Sequence, residues 1–258
     1  MWFPTRIHSH YSLLQSTLKP KRIVEICKDL GYKTAALTDF ASVSGAVKFV
    51  QECEKNDIKP ILGCEIPLKT SNNTTITLIC KNEKGWGKLL EIVSACNDAD
   101  NFKKHPAIPI DQLFELVDDN FICIDGYVGS ALFNELVEDN KCIYSCSEYD
   151  EAGKCLKREY SKDAVVHIAT FREKFGDDYY LEINKLDSET FAATKLVSNC
   201  IDEVAASIGF KNLIAGANIY YGEMADSKDH RILLCSKMRT TLNKVNKDLL
   251  KEDNYRHV

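Results

Sequence analysis

Short apolar runs alternate along this chain with longer stretches in which hydrophobic residues recur at helical spacing. Residues 20–30 place Ile23 and Leu30 on one face of an amphipathic helix, and Gly31 follows as a stop signal. The next run, at residues 34–38, is short and mostly apolar, which is typical of a buried strand. The alternation predicts an α/β fold.

The same periodicity extends the prediction over the whole chain. Further strands are predicted at residues 6–8, 60–65, 75–80, 121–124, 179–184 and 212–217, and further helices at 45–56, 86–96, 130–138, 163–175, 189–208 and 226–238. Strands separated by helices pair in parallel, whereas residues 66–80 resemble a hairpin with its turn at 71–74.

A closed or nearly closed βα barrel is favoured over an open doubly wound sheet, because no glycine-rich phosphate loop follows the first strand. The length of 258 residues is compatible with one large barrel domain. We expect this domain to span residues 1–242, and residues 243–258 to be a polar tail or the start of a linker to a further domain.

The composition and charge are those of an ordinary globular protein. Hydrophobic residues make up 45% of the chain and charged residues 28%, with no signal-peptide pattern and no run of 18 apolar residues, so we expect a cytoplasmic location. Lys and Arg number 33 against 38 Asp and Glu. Any contact with DNA must therefore be local or made through a partner.

Eleven cysteines are scattered along the chain, many of them in apolar segments such as those around Cys27, Cys123 and Cys200. In a long chain without secretion signals, this usage predicts reduced thiols in the core. Cys142 and Cys146 form the only close pair, and no second Cys or His pair accompanies them, so we expect no zinc site there.

Polar side chains stand where several predicted strands end. In a βα barrel, functional groups gather at the carboxyl ends of the strands. These positions hold His8, Asp39, Glu65, Asp125, Glu182 and the segment 218–220. Imidazole and carboxylate groups suit Zn, Mn or Fe, so the pattern is compatible with a metal site and equally with polar residues that only line the barrel mouth.

Several motifs together resemble a known family. They lie at residues 6–14, 36–40, 45–49, 58–65, 78–86, 179–183, 215–221 and 229–235. The first reads RIHSHYSLL, the second ALTDF and the fourth IKPILGCE. In order and spacing they are similar to the N-terminal PHP (polymerase and histidinol phosphatase) domain of bacterial and phage DNA polymerase III alpha subunits, and they cover nearly the whole chain.

The resemblance implies a distorted (β/α)7 barrel, whose active members bind a cluster of metal ions at the strand ends and hydrolyse phosphoesters. Three family ligands persist, His8, Asp39 and Glu65, and these would hold Zn or Mn if any metal binds. The other positions have changed: Arg6 and Phe40 stand for histidines, Asn218 and Tyr220 for the final Asp and His, Tyr127 for a common Cys, and Thr75 lies near a further lost histidine. We therefore expect a metal-depleted branch of the family without a cofactor.

Arg6 argues most strongly against a metal cluster. A guanidinium is always protonated, offers no lone pair and repels a cation at close range. We expect Arg6 to pair with Asp39 or Glu65, and Phe40 and Tyr220 to fill the remaining volume. His230, in the last predicted helix, is expected to be structural.

By resemblance, the chain is expected to be a catalytically degenerate PHP domain of a replicative polymerase, which docks a proofreading 3'-5' exonuclease subunit and the remaining polymerase domains and meets DNA only through the replisome. One alternative is an active metal-dependent phosphoesterase or 3'-5' exonuclease using His8, Asp39 and Glu65, helped by His10 and Asp125. Another is a free-standing, for example viral, replication accessory protein.

Overall fold

Twelve strands and eight α-helices lie within the residues that the computed structural model describes, 3–70, 74–138, 141–153, 155–184 and 192–244. The strands are β1 (Arg6–Ile7), β2 (Thr34–Leu37), β3 (Lys59–Pro67), β4 (Thr75–Cys80), β5 (Phe121–Asp125), β6 (Val137–Glu138), β7 (Lys141–Cys142), β8 (Tyr144–Tyr149), β9 (Cys155–Tyr160), β10 (Tyr179–Ile183), β11 (Leu213–Ala215) and β12 (Asn218–Ile219). The helices are α1 (Pro20–Asp29), α2 (Ala46–Lys55), α3 (Glu83–Asn97), α4 (Ile110–Leu116), α5 (Phe133–Leu136), α6 (Lys162–Phe175), α7 (Ala192–Ile208) and α8 (Ser227–Met238).

The main sheet is curled and has the strand order β11-β10-β5-β4-β3-β2. Only β4 runs antiparallel to its neighbours in this sheet, as the predicted hairpin requires. The strand β1 pairs in parallel with β12, and Thr38 N donates to Ile7 O (2.9 Å) at the β1–β2 seam. Because only two residues separate β11 from β12, the two count as one broken strand, and the expected distorted seven-stranded βα barrel is confirmed.

Two hydrophobic clusters pack the helices onto this sheet. In the smaller one, α1 and α2 cover β1 and β2, with Val24 and Phe49 completely buried. The helix α1 begins at Pro20, whose fixed φ suits a first helical turn. In the larger cluster, the outer faces of β3, β4, β5 and β10 pack against α3, α4, α6 and α7, with Leu78 and Phe121 at its centre.

Two parts of the sequence-based prediction need correction. Residues 130–138 form only the four-residue helix α5, because β6 follows it directly and pairs with β7. The antiparallel hairpin of β8 and β9, like the short helix α4, was not predicted, since β8 and β9 alternate mostly polar residues and show no apolar face. Of the predicted turn at 71–74, residues 71–73 lie outside the described residues, as does the predicted tail from residue 245 onward.

The cysteine prediction is partly wrong. Cys142 in β7 and Cys200 in α7 form a disulfide, with their Cα atoms 6.0 Å apart. The pair is separated by 58 residues, so only the folded chain brings it together. Cys27 and Cys123 remain free and buried as expected, and burial raises the pKa of Cys27 to about 11.

The barrel mouth collects side chains from every part of the sheet. The parallel strands end at the same edge, and β4, which runs the other way, begins there with Thr75. None of the helices in the described residues is long and apolar enough to cross a membrane.

Candidate functional site

A buried ion pair occupies the barrel mouth. Arg6 Nε donates to Glu182 Oε2 and Arg6 Nη2 to Glu182 Oε1, each over 2.8 Å, and the two side chains are 3% and 0% exposed. The guanidinium carbon also lies 3.7 Å from the centre of the Tyr127 ring. The expected pairing of Arg6 with Asp39 or Glu65 is therefore wrong, and Glu182 is the partner.

The pairing also keeps Arg6 charged. Burial alone would lower the pKa of Arg6, but the charge and hydrogen bonds of Glu182, together with Tyr127 and Glu65, raise it further than burial lowers it, so the net shift is upward. A bidentate arginine–carboxylate pair has strong, directional hydrogen bonds. The mouth thus holds a fixed ion pair inside the barrel.

Asp39 is not available to Arg6 because three local donors occupy its carboxylate. Ser9 N and Ser12 Oγ donate to Oδ1, each over 2.6 Å, and Ser9 Oγ donates to Oδ2 over 2.7 Å. The side chain of Ser12 further accepts a hydrogen bond from Phe40 N (2.9 Å). Through these hydrogen bonds, Asp39 links the loop after β1 to the end of β2.

Glu65 belongs to a second hydrogen-bonded group. Its Oε1 accepts from Thr75 Oγ1 (2.6 Å), which lies 3.0 Å from the Tyr127 hydroxyl, and Thr77 Oγ1 donates to the same hydroxyl over 3.2 Å. Burial raises the pKa of Tyr127 well above its ordinary value, so Tyr127 stays a neutral phenol. Glu65 is thereby held by β4 and by the loop after β5.

His8 faces the other oxygen of Glu65. The distance from His8 Nε2 to Glu65 Oε2 is 3.3 Å, but the geometry is not that of a hydrogen bond, and both atoms are buried without another hydrogen-bond partner among the described residues. His8 Nδ1 lies 3.3 Å from Ser12 Oγ. Burial lowers the pKa of His8, against the negative charges of Glu65 and Asp39, which act to raise it.

An aromatic stack covers this histidine. The Tyr220 ring lies parallel to His8 at a centroid distance of 4.5 Å, and His230 from α8 stacks on the other side of Tyr220 at 5.6 Å. Asn218 Nδ2 donates to the Tyr220 hydroxyl over 2.9 Å. His230 is buried in this stack, which agrees with its expected structural role.

Two candidate residues lie away from this site. Asp125 accepts from Tyr179 OH (3.1 Å), lies 2.7 Å from His167 Nε2 and is completely buried. The Nδ1 atom of His10 lies 3.2 Å from Leu18 O, and its ring is largely exposed. Neither side chain joins the group formed by His8 and Glu65.

A cavity of about 710 Å³ opens above the ion pair. Its wall includes Arg6, Glu65, Glu182, Phe40, Tyr127, Asn218 and Tyr220, together with Lys237 and Leu234 of α8. The Phe40 ring forms part of this wall, and its centre lies 5.9 Å from Lys237 Nζ. The eight positions compared with the family's metal site, Arg6, His8, Asp39, Phe40, Glu65, Tyr127, Asn218 and Tyr220, gather at one end of the barrel.

The sequence matches the family model of the PHP domain over residues 4–186. The chain belongs to the PHP domain family. Among curated relatives, the DNA polymerase III alpha subunit of Chlamydia pneumoniae is 24% identical over 90% of this chain, and that of Treponema pallidum 26% identical over 96%. The chain spans about a fifth of these relatives, 19% and 20% of their lengths.

Among solved structures, a complex of Endonuclease Q with a duplex carrying an abasic lesion aligns with 85% of this chain and 49% of its own chain, at 17% identity and a TM-score of 0.48.

The residues of this PHP domain do not fit a metal cluster. The guanidinium of Arg6 lines the same cavity as Glu65, and it is a donor without lone pairs. Both oxygens of Asp39 already accept hydrogen bonds, and Asn218 and Tyr220 offer no charge. Across the described ranges, no three His, Cys, Asp or Glu side chains lie close enough to hold a metal ion.

The sequence indicated the site but not the partners within it. Ser9 and Ser12, which donate hydrogen bonds to Asp39, lie inside the first family motif, but no role as partners of Asp39 was predicted for them. Glu182 was identified as a strand-end carboxylate but not as the partner of Arg6. The strand-end carboxylates Glu65 and Glu182 were the available signal, and the sequence alone does not say which of them lies nearer to β1.

Proposed function

We propose that this chain acts as the PHP domain of a DNA polymerase III alpha-type replicative polymerase and that it works in DNA replication. The relatives match over at least nine tenths of this chain but extend far beyond it, so the polymerase activity would belong to the remaining four fifths of such a protein. The chain itself would be a module of that protein.

The module is catalytically degenerate in this proposal. The observation that supports this proposal is the buried Arg6–Glu182 pair. It places a guanidinium at the barrel mouth, together with a carboxylate that is already bound to it. Metal-assisted hydrolysis needs unoccupied ligands that hold a cation next to the attacking water molecule. Here the cation at the barrel mouth is the Arg6 guanidinium, which is part of the protein. The ion pair therefore stabilises the barrel in place of metal ions.

The module also docks a proofreading 3'-5' exonuclease subunit and the rest of the polymerase chain. The support is the family relationship to polymerase alpha subunits. The test is a binding titration of the purified chain with the proofreading exonuclease of the same organism, followed by analytical ultracentrifugation. A one-to-one complex with a Kd in the micromolar range, about −8 kcal/mol, is expected. No complex at a hundredfold higher concentration would contradict the docking role.

One observation favours a second candidate, a metal-dependent phosphoesterase. Among the described residues, His8 Nε2 and Glu65 Oε2 have no hydrogen-bond partner of good geometry; the two atoms lie 3.3 Å apart, and Glu65 reaches the cavity. The test is hydrolysis of a phosphodiester such as bis(p-nitrophenyl) phosphate with added Zn or Mn, compared with the Asp39→Asn variant. Activity that requires metal and disappears in Asp39→Asn would establish this candidate, and the absence of turnover supports the degenerate module.

A further inference from the structure

A glycine lies against the buried ion pair at the point where β11 ends. A Cβ atom built on Gly216 would lie 2.1 Å from Glu182 Cδ, 2.2 Å from Oε2 and 2.3 Å from Cγ. Carbon and oxygen atoms that are not bonded stay more than 3 Å apart, so no residue with a Cβ is compatible with Glu182 in its present position.

The backbone offers no other reason for glycine at this place. Gly216 is not among the described glycines with positive φ, so its conformation is open to any L-residue. Its N–H donates to Ile183 O (3.1 Å), which fixes the chain directly beside β10. In the parallel register Glu182 pairs with Ile214, and residue 216 follows on the same face of the sheet.

Glu182 cannot easily give way. Its side chain is completely buried, and both carboxylate oxygens are bonded to Arg6. A clash with a flexible exposed side chain would be relieved by a change of rotamer, but here that change breaks both hydrogen bonds. From this we infer that Gly216 is a positioning residue whose missing side chain lets Glu182 close onto Arg6.

This inference rests on the proposed function, because it explains how the barrel mouth accommodates an ion pair where the family resemblance implies metal ions. The three residues act together: Arg6 carries the positive charge, Glu182 neutralises it, and Gly216 leaves the space that the Glu182 side chain occupies. A barrel with Arg6 and Glu182 but with an alanine at position 216 should not form the pair.

The test compares Gly216→Ala in two backgrounds. The first is the natural chain, and the second carries Arg6→Met together with Glu182→Ala, which removes both charges and the clashing atoms. Unfolding equilibrium constants are measured by urea denaturation at pH 7. We expect Gly216→Ala to raise the unfolding constant at least tenfold in the natural chain and less than twofold in the second background.

The matched control is Gly87→Ala in helix α3, where a new Cβ would meet no atom within 4 Å. It should not destabilise either background. If Gly216→Ala prevents folding of the natural chain but not of the charge-free chain, the inference stands. An equal effect of Gly216→Ala in both backgrounds, including failure of both to fold, would overturn it. Because no metal or activity enters this measurement, its failure is distinguishable from failure of the proposed function.

Discussion

Replacing Arg6 by alanine tests the buried pair directly. The substitution leaves the Glu182 carboxylate at 0% side-chain exposure with neither of its two 2.8 Å hydrogen bonds. Breaking a buried pair in this way costs about 3–5 kcal/mol, because an uncompensated charge remains in a poorly solvated place. Loss of the contact with the Tyr127 ring acts in the same direction.

The cost can be measured as the free energy of unfolding from urea titration followed by circular dichroism at pH 7. For a chain of this size, a loss of that magnitude lowers Tm by about 10 °C. The matched control is Arg158→Ala: Arg158 pairs with Glu203 at 2.5 Å, but its side chain is 42% exposed. An exposed pair of this kind contributes about 0–1 kcal/mol.

A companion variant separates the charge from the volume. The double substitution Arg6→Met with Glu182→Gln removes both charges, so we expect it to be more stable than Arg6→Ala. A cost below about 1 kcal/mol for Arg6→Ala, similar to that of the Arg158 control, would refute the reasoning, because Glu182 would then have another source of neutralisation.

Three further predictions follow from other contacts in the fold. Ser12→Ala removes a 2.6 Å donor from buried Asp39 and should lower the unfolding free energy by about 1–3 kcal/mol, measured by urea titration; an unchanged midpoint would count against it. Burial raises the pKa of Asp125, but the hydrogen bond and charge of His167, together with the hydrogen bonds of Ser130 and Gly126, lower it further than burial raises it. The carboxylate therefore contributes stability that is present above the unfolded pKa of about 3.9 and is lost as pH falls through the folded pKa. His167→Gln should be most destabilising near neutral pH and progressively less so as the pH falls below about 3.9, and a pH-independent difference would contradict this. Phe49→Ala should lower the free energy of unfolding by about 3–5 kcal/mol, because the ring is completely buried. A substitution at an exposed helix position should not have this effect.

Local periodicity was sufficient to predict most of the fold. The ends of helix α1 and strand β2 were predicted within one residue. An element that packs on the core needs an apolar face, and its apolar residues therefore recur at helical or alternating spacing in the sequence. The hairpin of β8 and β9 was missed for the same reason: β8 is mostly exposed and carries no apolar stripe.

The candidate site was harder to predict because its contacts are made across the closed sheet. Arg6 and Glu182 are 176 positions apart in sequence, and their contact depends on the pairing of β1 with β12 and of β10 with β11. The secondary-structure propensities of the residues do not determine the register of these strand pairs. The residue types at the strand ends could be identified, but the choice of partner for Arg6 needed the three-dimensional order of the strands.

Metal content is the most direct test of the claim that the barrel mouth holds an ion pair in place of metal ions. The chain would be purified without chelator, incubated with Zn and then with Mn, freed of excess metal, and measured by mass spectrometry beside Asp39→Asn. We expect less than about 0.1 equivalent of either metal in both proteins, because the ligands that remain are too few and too engaged for tight binding. One or more equivalents in the natural chain, lost in Asp39→Asn, would contradict the account.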